Sequence, residues 1–356
     1  MADLISWEIA ERTAALVGGR EPLSRSYHAG ELRADFDELT AEAEELVKRE
    51  TGLVPDAGPA QAVVIDRPGW SRANIGSFRA LIAPLSDKLG QRRTIPAISA
   101  VSRTVAGVQL GTVLGWMSTR VLGQYDLLLG DEAAGEGGSV TPDAVYYVGP
   151  NILSLERRYG FPPREFRLWI ALHEVTHRVQ FTAVPWMREH FTSLAREAIG
   201  SFDPDPRALF SAIGRLAEDI RSGVNPLAEA GLVGVMATPA QRELLSNLQG
   251  LMGLLEGHGD VTMDRAGAAL LPSAERFSAV LGERRRSASG VAKILQQLLG
   301  IESKLRQYED GERFIHEVET AGGKSLLARV WEGPQWLPDL EELRQPPRWI
   351  ERVAAG

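Results

Sequence analysis

The sequence predicts a mainly α-helical protein carrying one small β-sheet. Three observations point there. Apolar residues recur at helical spacing through most of the chain. Only a few short runs are rich in β-branched and aromatic residues, Ala144-Val145-Tyr146-Tyr147-Val148 the clearest of them. And residues 173–177 read His-Glu-Val-Thr-His inside a long run of helix formers.

Taken in order, residues 4–17 and 30–50 read as amphipathic helices, the second acidic. Residues 61–66 form a short strand that Pro68-Gly69 ends, and Ser71 is placed to cap a helix running to about Leu89. Residues 95–122 are apolar, with no charge between Arg103 and Arg120. That gap falls short of the roughly 20 residues a spanning helix needs, so a buried central helix is expected and no membrane span. Gly107, Gly111 and Gly115 give it a ridge of small residues for close packing.

Residues 125–129 suggest a further strand, 130–139 a flexible loop, and 144–148 the best strand of the chain. Pro162-Pro163 precede the helix bearing the His pair, and Pro185 ends or bends it. Helices are expected at 187–200, 205–221, 239–254, 273–284, 290–300 and 302–320. The C-terminal Trp331, Pro334, Trp336, Pro338, Pro346, Pro347 and Trp349 suggest an irregular arm packed over the body. The order suggests a small sheet packed on the His-bearing helix. Tyr146–Val148 is a candidate edge for an extended peptide to join, with an ordinary core strand as the other reading.

His173, Glu174 and His177 carry the chemistry. Residues i and i+4 share a helix face, so two imidazoles there can bind one Zn2+ ion. Glu174 projects beside them, where a carboxylate can take a proton from water at the metal. His is scarce, six in 356 residues. The flanking Trp169, Ile170, Leu172, Val175, Val179 and Phe181 leave the helix almost no polar face. A buried His pair and a buried Glu need partners, and one metal ion satisfies all three.

A tetrahedral zinc needs a third protein ligand, and the chain has no Cys. Residues 254–264 stand out. On a helix, Glu256 and Asp260 share a face, whereas His258 lies about 200° round from Glu256. The spacing favours Glu256 as ligand, with His258 as the alternative. Asp260, one turn on, is placed to accept a hydrogen bond from a ligating His. Otherwise Asp260 caps a helix or pairs with Arg265. His258 is also a candidate for contacting substrate or oxyanion, beside Tyr147 and Arg265. Gly250, Gly253, Gly257 and Gly259 make this a poor helix by propensity, which close packing against another helix or a metal site would explain; a loop is the alternative.

With these motifs in view, the chain resembles the zincin-like metallopeptidases found largely in actinobacteria. The resemblance rests on Asp66-Arg67-Pro68-Gly69-Trp70 with Asn74, on Leu122-Gly123-Gln124-Tyr125-Asp126, and on Tyr147-Val148-Gly149-Pro150-Asn151. It continues through residues 173–181, Pro185-Trp186 and residues 256–264. It implies a mostly helical N-terminal region over 1–122, with its strand near 61–66. It also implies a zincin-like catalytic domain over 123–356, with a helical insertion and a C-terminal arm. One branch of the family is associated with biosynthesis of the deazaflavin coenzyme F-420.

The composition fits that reading. Charged residues are 24% and hydrophobic residues 44% of the chain, ordinary globular values. The net charge of −8 argues against a nucleic-acid partner. No Cys, and no basic segment ahead of an apolar run at the N-terminus, lead to a cytoplasmic expectation. The expected activity is hydrolysis of a peptide or small amide, with Glu174 as general base. The alternative is a non-catalytic zinc-binding partner or scaffold in deazaflavin coenzyme biosynthesis, which the intact Glu174 disfavours.

Overall fold

A computed structural model describes residues 4–19, 28–91, 100–125, 127, 143–201, 238–286 and 301–355. The expected loop at 130–139 and the helices expected at 205–221 and 290–300 lie outside the described residues. The described chain is mainly helical with one three-stranded sheet. It divides into two compact units: residues 1–188 with 258–293, and residues 189–257 with 294–356.

The first unit is built on the sheet, in strand order β1-β3-β2. β1 (Gln61–Ile65) runs parallel to β3 (Ala144–Val148), and β2 (Gly123–Tyr125) runs antiparallel to it. All five residues of β3 are buried. Tyr147 turns one way, its ring stacked at 3.8 Å on Phe36 of α2 (His28–Thr51). Val148 turns the other way, into a cluster with Ala10, Ala14, Trp70, Ile75 and Leu114. A strand covered on both faces reads as a continuous apolar run. That run belongs to the centre of the sheet, so Tyr146–Val148 is not the edge. The short, more polar β2 is an edge.

Helices α1 (Trp7–Gly18) and α4 (Ala100–Ser118) cross on the glycine ridge. A β-carbon at Gly111 would stand 2.3 Å from the Ala10 carbonyl, and one at Gly115 2.6 Å from that of Ala14. α4 is not a buried central helix, however. Its glycine face is covered while Val101, Val105 and Val108 are exposed. No helix among the described residues is long and apolar enough to cross a membrane.

α3 (Arg67–Gln91) starts earlier than expected. Asp66 caps it by accepting the Gly69 N–H at 2.7 Å, and Pro68 sits in its first turn, where a proline costs no hydrogen bond. Ser71 is an interior, buried position. α5 (Gly149–Tyr159) follows β3 directly, again with proline in the first turn. Its Asn151 donates to the carbonyls of Ser118 and Val121 and accepts from Arg67, tying the end of α4 to the sheet.

α6 (Pro163–Thr182) is buried almost all round. Phe166 and Trp169 on it meet Phe161 and Phe277, the last from α9 (Ala274–Arg286). Arg178, fully buried, donates to Glu44 at 3.0 Å and to Asp143 at 2.6 Å. Arg167 pairs both oxygens of Glu156 and also reaches Asp35.

The second unit holds α7 (Met187–Ser201) from residue 189 on, the first part of α8 (Pro239–Gly267), α10 (Ile301–Leu327) and the C-terminal segment. α8 and α10 cross glycine on glycine. A β-carbon at Gly257 would stand 2.3 Å from Gly311 C, and one at Gly311 2.2 Å from the Gly253 carbonyl. The expected irregular arm is instead two 3₁₀ turns followed by α11 (Leu340–Arg344) and α12 (Pro346–Ala355). Trp349 is fully buried, packed edge-on at 5.3 Å against Phe314, with its indole N–H on the Trp336 carbonyl.

Candidate metal centre

Helical spacing sets the first two groups of the site. His173 and His177 stand one turn apart on α6, their rings 4.6 Å between centroids and nearly perpendicular. Their Nε2 atoms face each other at 3.2 Å. α8 is one unbroken helix and passes alongside. Gly259 faces the pair, and a β-carbon on it would lie 3.4 Å from His177 Cε1 and 3.7 Å from His173 Cε1. A β-carbon there would make ordinary van der Waals contact with both rings, so α8 faces the imidazoles at this position without needing a glycine. Propensity disfavours so many glycines, and packing supplies the compensation for three of them: Gly253 and Gly257 meet Gly311, and Gly250 meets Pro338 and Asp339.

One ligand atom each from His173, His177 and Glu256 lie within 4.8 Å of one another. Among the described residues this is the one group of three or more His, Asp or Glu so arranged. Asp260, one turn after Glu256, has Oδ1 3.5 Å from His173 Nδ1. His258 turns elsewhere. It is buried, and its Nδ1 lies 3.0 Å from Gln180 Nε2. The Oε1 of the same Gln180 lies 3.0 Å from His177 Nδ1.

Glu174 nests against the edge strand. Its Oε2 accepts the Tyr125 N–H at 3.1 Å, and its side chain fills the space beside Gly123. Tyr125 is itself fixed, because its hydroxyl donates to Asp143 at 2.9 Å and receives Arg188. Burial pushes the Tyr125 phenol well above its ordinary range, with Asp143 adding and Arg188 opposing.

The other expected contacts fall differently. Tyr147 is fully buried, its hydroxyl on Thr40 at 2.8 Å, and burial pushes its phenol far above the usual tyrosine range. The hydroxyl is therefore committed to the core beneath α2. Arg265 is partly exposed and lies 3.8 Å from Glu50. Three contributors escaped the sequence reading: Gln180, Gly123 and the Tyr125 N–H. Only Gln180 left a usable signal, since a residue three after His177 returns to its helix face. The other two belong to a strand far from α6 in sequence.

The chain matches the model of a zincin-like metallopeptidase family over residues 5–350. It belongs to that family. A crystal structure from Chloroflexus aurantiacus, described as "a putative hydrolase with a novel fold", is similar at TM-score 0.71 and 29% identity. The likeness covers 99% of this chain and 100% of that one. No curated protein matches the chain.

Zincin-like proteins take a zinc ion, and the residues here fit one. Two imidazole nitrogens and a carboxylate oxygen are a donor set that zinc accepts. The facing Nε2 atoms, 3.2 Å apart, can share one hydrogen or be bridged by a metal ion.

Proposed function

We propose that the chain is a zinc-dependent hydrolase of peptide or small amide bonds. The observation that carries this is the grouping of His173, His177 and Glu256 around one point, with Glu174 buried beside them. His173 and His177 would hold the ion through Nε2, and Glu256 through a carboxylate oxygen. Two His and one carboxylate leave a fourth tetrahedral position open, as catalytic zinc sites do. Zinc supplies a Lewis acid that polarises the scissile carbonyl and makes water more acidic.

The chain's own groups do the rest. Glu174 takes a proton from the attacking water at one carboxylate oxygen and delivers it to the leaving nitrogen. The Tyr125 N–H holds the other oxygen, so the carboxylate is oriented before substrate arrives. Asp260 orients His173 through Nδ1. His258 and Arg265 are the candidates for stabilising the oxyanion, because the Tyr147 hydroxyl is held by Thr40.

The test is Glu174→Gln, with metal content and cleavage of a peptide library followed together. Zinc retained at wild-type stoichiometry with hydrolysis abolished supports the assignment. Unchanged turnover removes Glu174 as the base. A wild-type protein that holds zinc and cleaves no member of peptide or amide libraries points to the other reading, a zinc-binding scaffold associated with deazaflavin coenzyme biosynthesis.

A further inference from the structure

The geometry points to Gln180 and His258 as a two-residue lock that fixes the ring nitrogen His177 presents to a metal. This rests on the zinc reading above and adds to it residues that do not themselves bind the ion.

The argument is one of proton bookkeeping. The oxygen of a primary amide only accepts and its nitrogen only donates. Gln180 Oε1 lies 3.0 Å from His177 Nδ1, so Nδ1 carries the hydrogen and Nε2 is left bare. Nε2 is the atom that faces His173. Gln180 Nε2 lies 3.0 Å from His258 Nδ1, so that nitrogen accepts and is bare in turn. Reversing the amide would place a donor against His177 Nδ1 and move the hydrogen to Nε2, which removes the metal-facing lone pair. The reversed amide would also need His258 to carry its hydrogen on Nδ1, so Gln180 couples the tautomers of the two imidazoles.

Burial makes the lock effective. Gln180 is fully buried and His258 is 7% exposed, so water does not readily substitute for either partner. The two sit on different helices, α6 and α8. The chain His177–Gln180–His258 therefore also pins α8 against the metal helix at the turn where Gly259 meets the imidazoles. His258 is on this reading a positioning residue, and its distance in angle from Glu256 along the helix is what gives it that job.

The experiment measures zinc affinity of the full chain by competition with a chromophoric chelator, with the absorption spectrum of the cobalt-loaded protein as a second readout. Gln180→Met removes both hydrogen bonds at similar volume and is expected to weaken zinc about 10–100-fold and to alter the cobalt d–d bands. Gln180→Glu keeps an acceptor for His177 Nδ1 and is expected to recover most of the affinity. His258→Leu is expected to lose part of it, and the double variant Gln180→Met/His258→Leu no more than Gln180→Met alone, because both act through one chain. If Gln180→Met fails to fold, His258→Leu against wild type still decides the point. Wild-type affinity in Gln180→Met or in His258→Leu, equal losses in the Met and Glu variants, or additive losses in the double variant overturn the lock alone. A wild-type chain with no zinc affinity overturns both the zinc reading and the lock.

Discussion

Gly123 leaves no room for a β-carbon beside Glu174. One built there would stand 2.5 Å from Glu174 Cγ and 2.7 Å from its Oε1. The edge strand and the proposed base thus interlock, with the Tyr125 N–H gripping the same carboxylate two residues on. Neither of these two contacts involves the imidazoles.

That separation gives the first prediction. Gly123→Ala should push Glu174 off β2, keep zinc at wild-type stoichiometry and lower hydrolysis by roughly 100-fold, the order expected for a 1 Å misplacement of a catalytic group. Metal analysis beside turnover of any library peptide that the wild type cleaves checks it. Full activity in this variant would show that the nesting is irrelevant to the chemistry.

Asp260 faces His173 from the turn after Glu256. Removing it as Asp260→Ala should weaken zinc retention about 10–100-fold while leaving the helical content intact. Chelator titration with circular dichroism on the same samples is the measurement. Equal affinities would return Asp260 to a merely structural place on α8.

Arg178 is fully buried between Glu44 and Asp143 and also donates to the Gly58 carbonyl. Arg178→Met should destabilise the chain by about 3–5 kcal/mol, because buried Glu44 loses its nearer counter-charge and keeps only the partly exposed Lys48, 3.5 Å away. Urea unfolding followed by tryptophan fluorescence would read this as a lower midpoint. The double variant Arg178→Met/Glu44→Leu should recover part of the loss, since it removes the stranded charge as well.

The crossing of α8 and α10 admits no side chain at Gly257. Gly257→Ala should cost at least about 1–3 kcal/mol through forced separation of the two backbones, despite the better helix propensity of Ala. Gly30, in α2 with nothing within 4 Å of the position its β-carbon would take, is the control. Gly30→Ala there should be neutral or stabilising by about 0.5–1 kcal/mol. Paired thermal melts decide whether packing or propensity governs these glycines.

Several of the residues that mark the family resemblance prove to be hydrogen-bond nodes. Arg67 donates to Asn151, and Asn74 and Gln124 exchange amide hydrogen bonds at 3.2 Å. Each links segments remote in sequence. Their presence was legible in the chain, and their pairing was not, because a hydrogen bond across fifty or more residues leaves no periodic trace.

What the sequence by itself determined is what depends on near neighbours along the chain. A 3.6-residue turn brings His173 and His177 onto one face of α6, and the same periodicity puts Glu256 and Asp260 on one face of α8 and turns His258 away. The run at Ala144–Val148 likewise announced a strand. Tertiary structure decided everything that joins separate elements: β3 as the centre of the sheet rather than its edge, β2 as the seat of Glu174, and Gln180 as the bridge from His177 to His258. It also decided that Tyr147 belongs to the core and that α4 shows its valines to solvent. The physical reason is the range of the interactions. Helix geometry is fixed by covalent spacing over four residues, whereas the neighbours of a side chain across a packed core depend on where every other segment has been laid down.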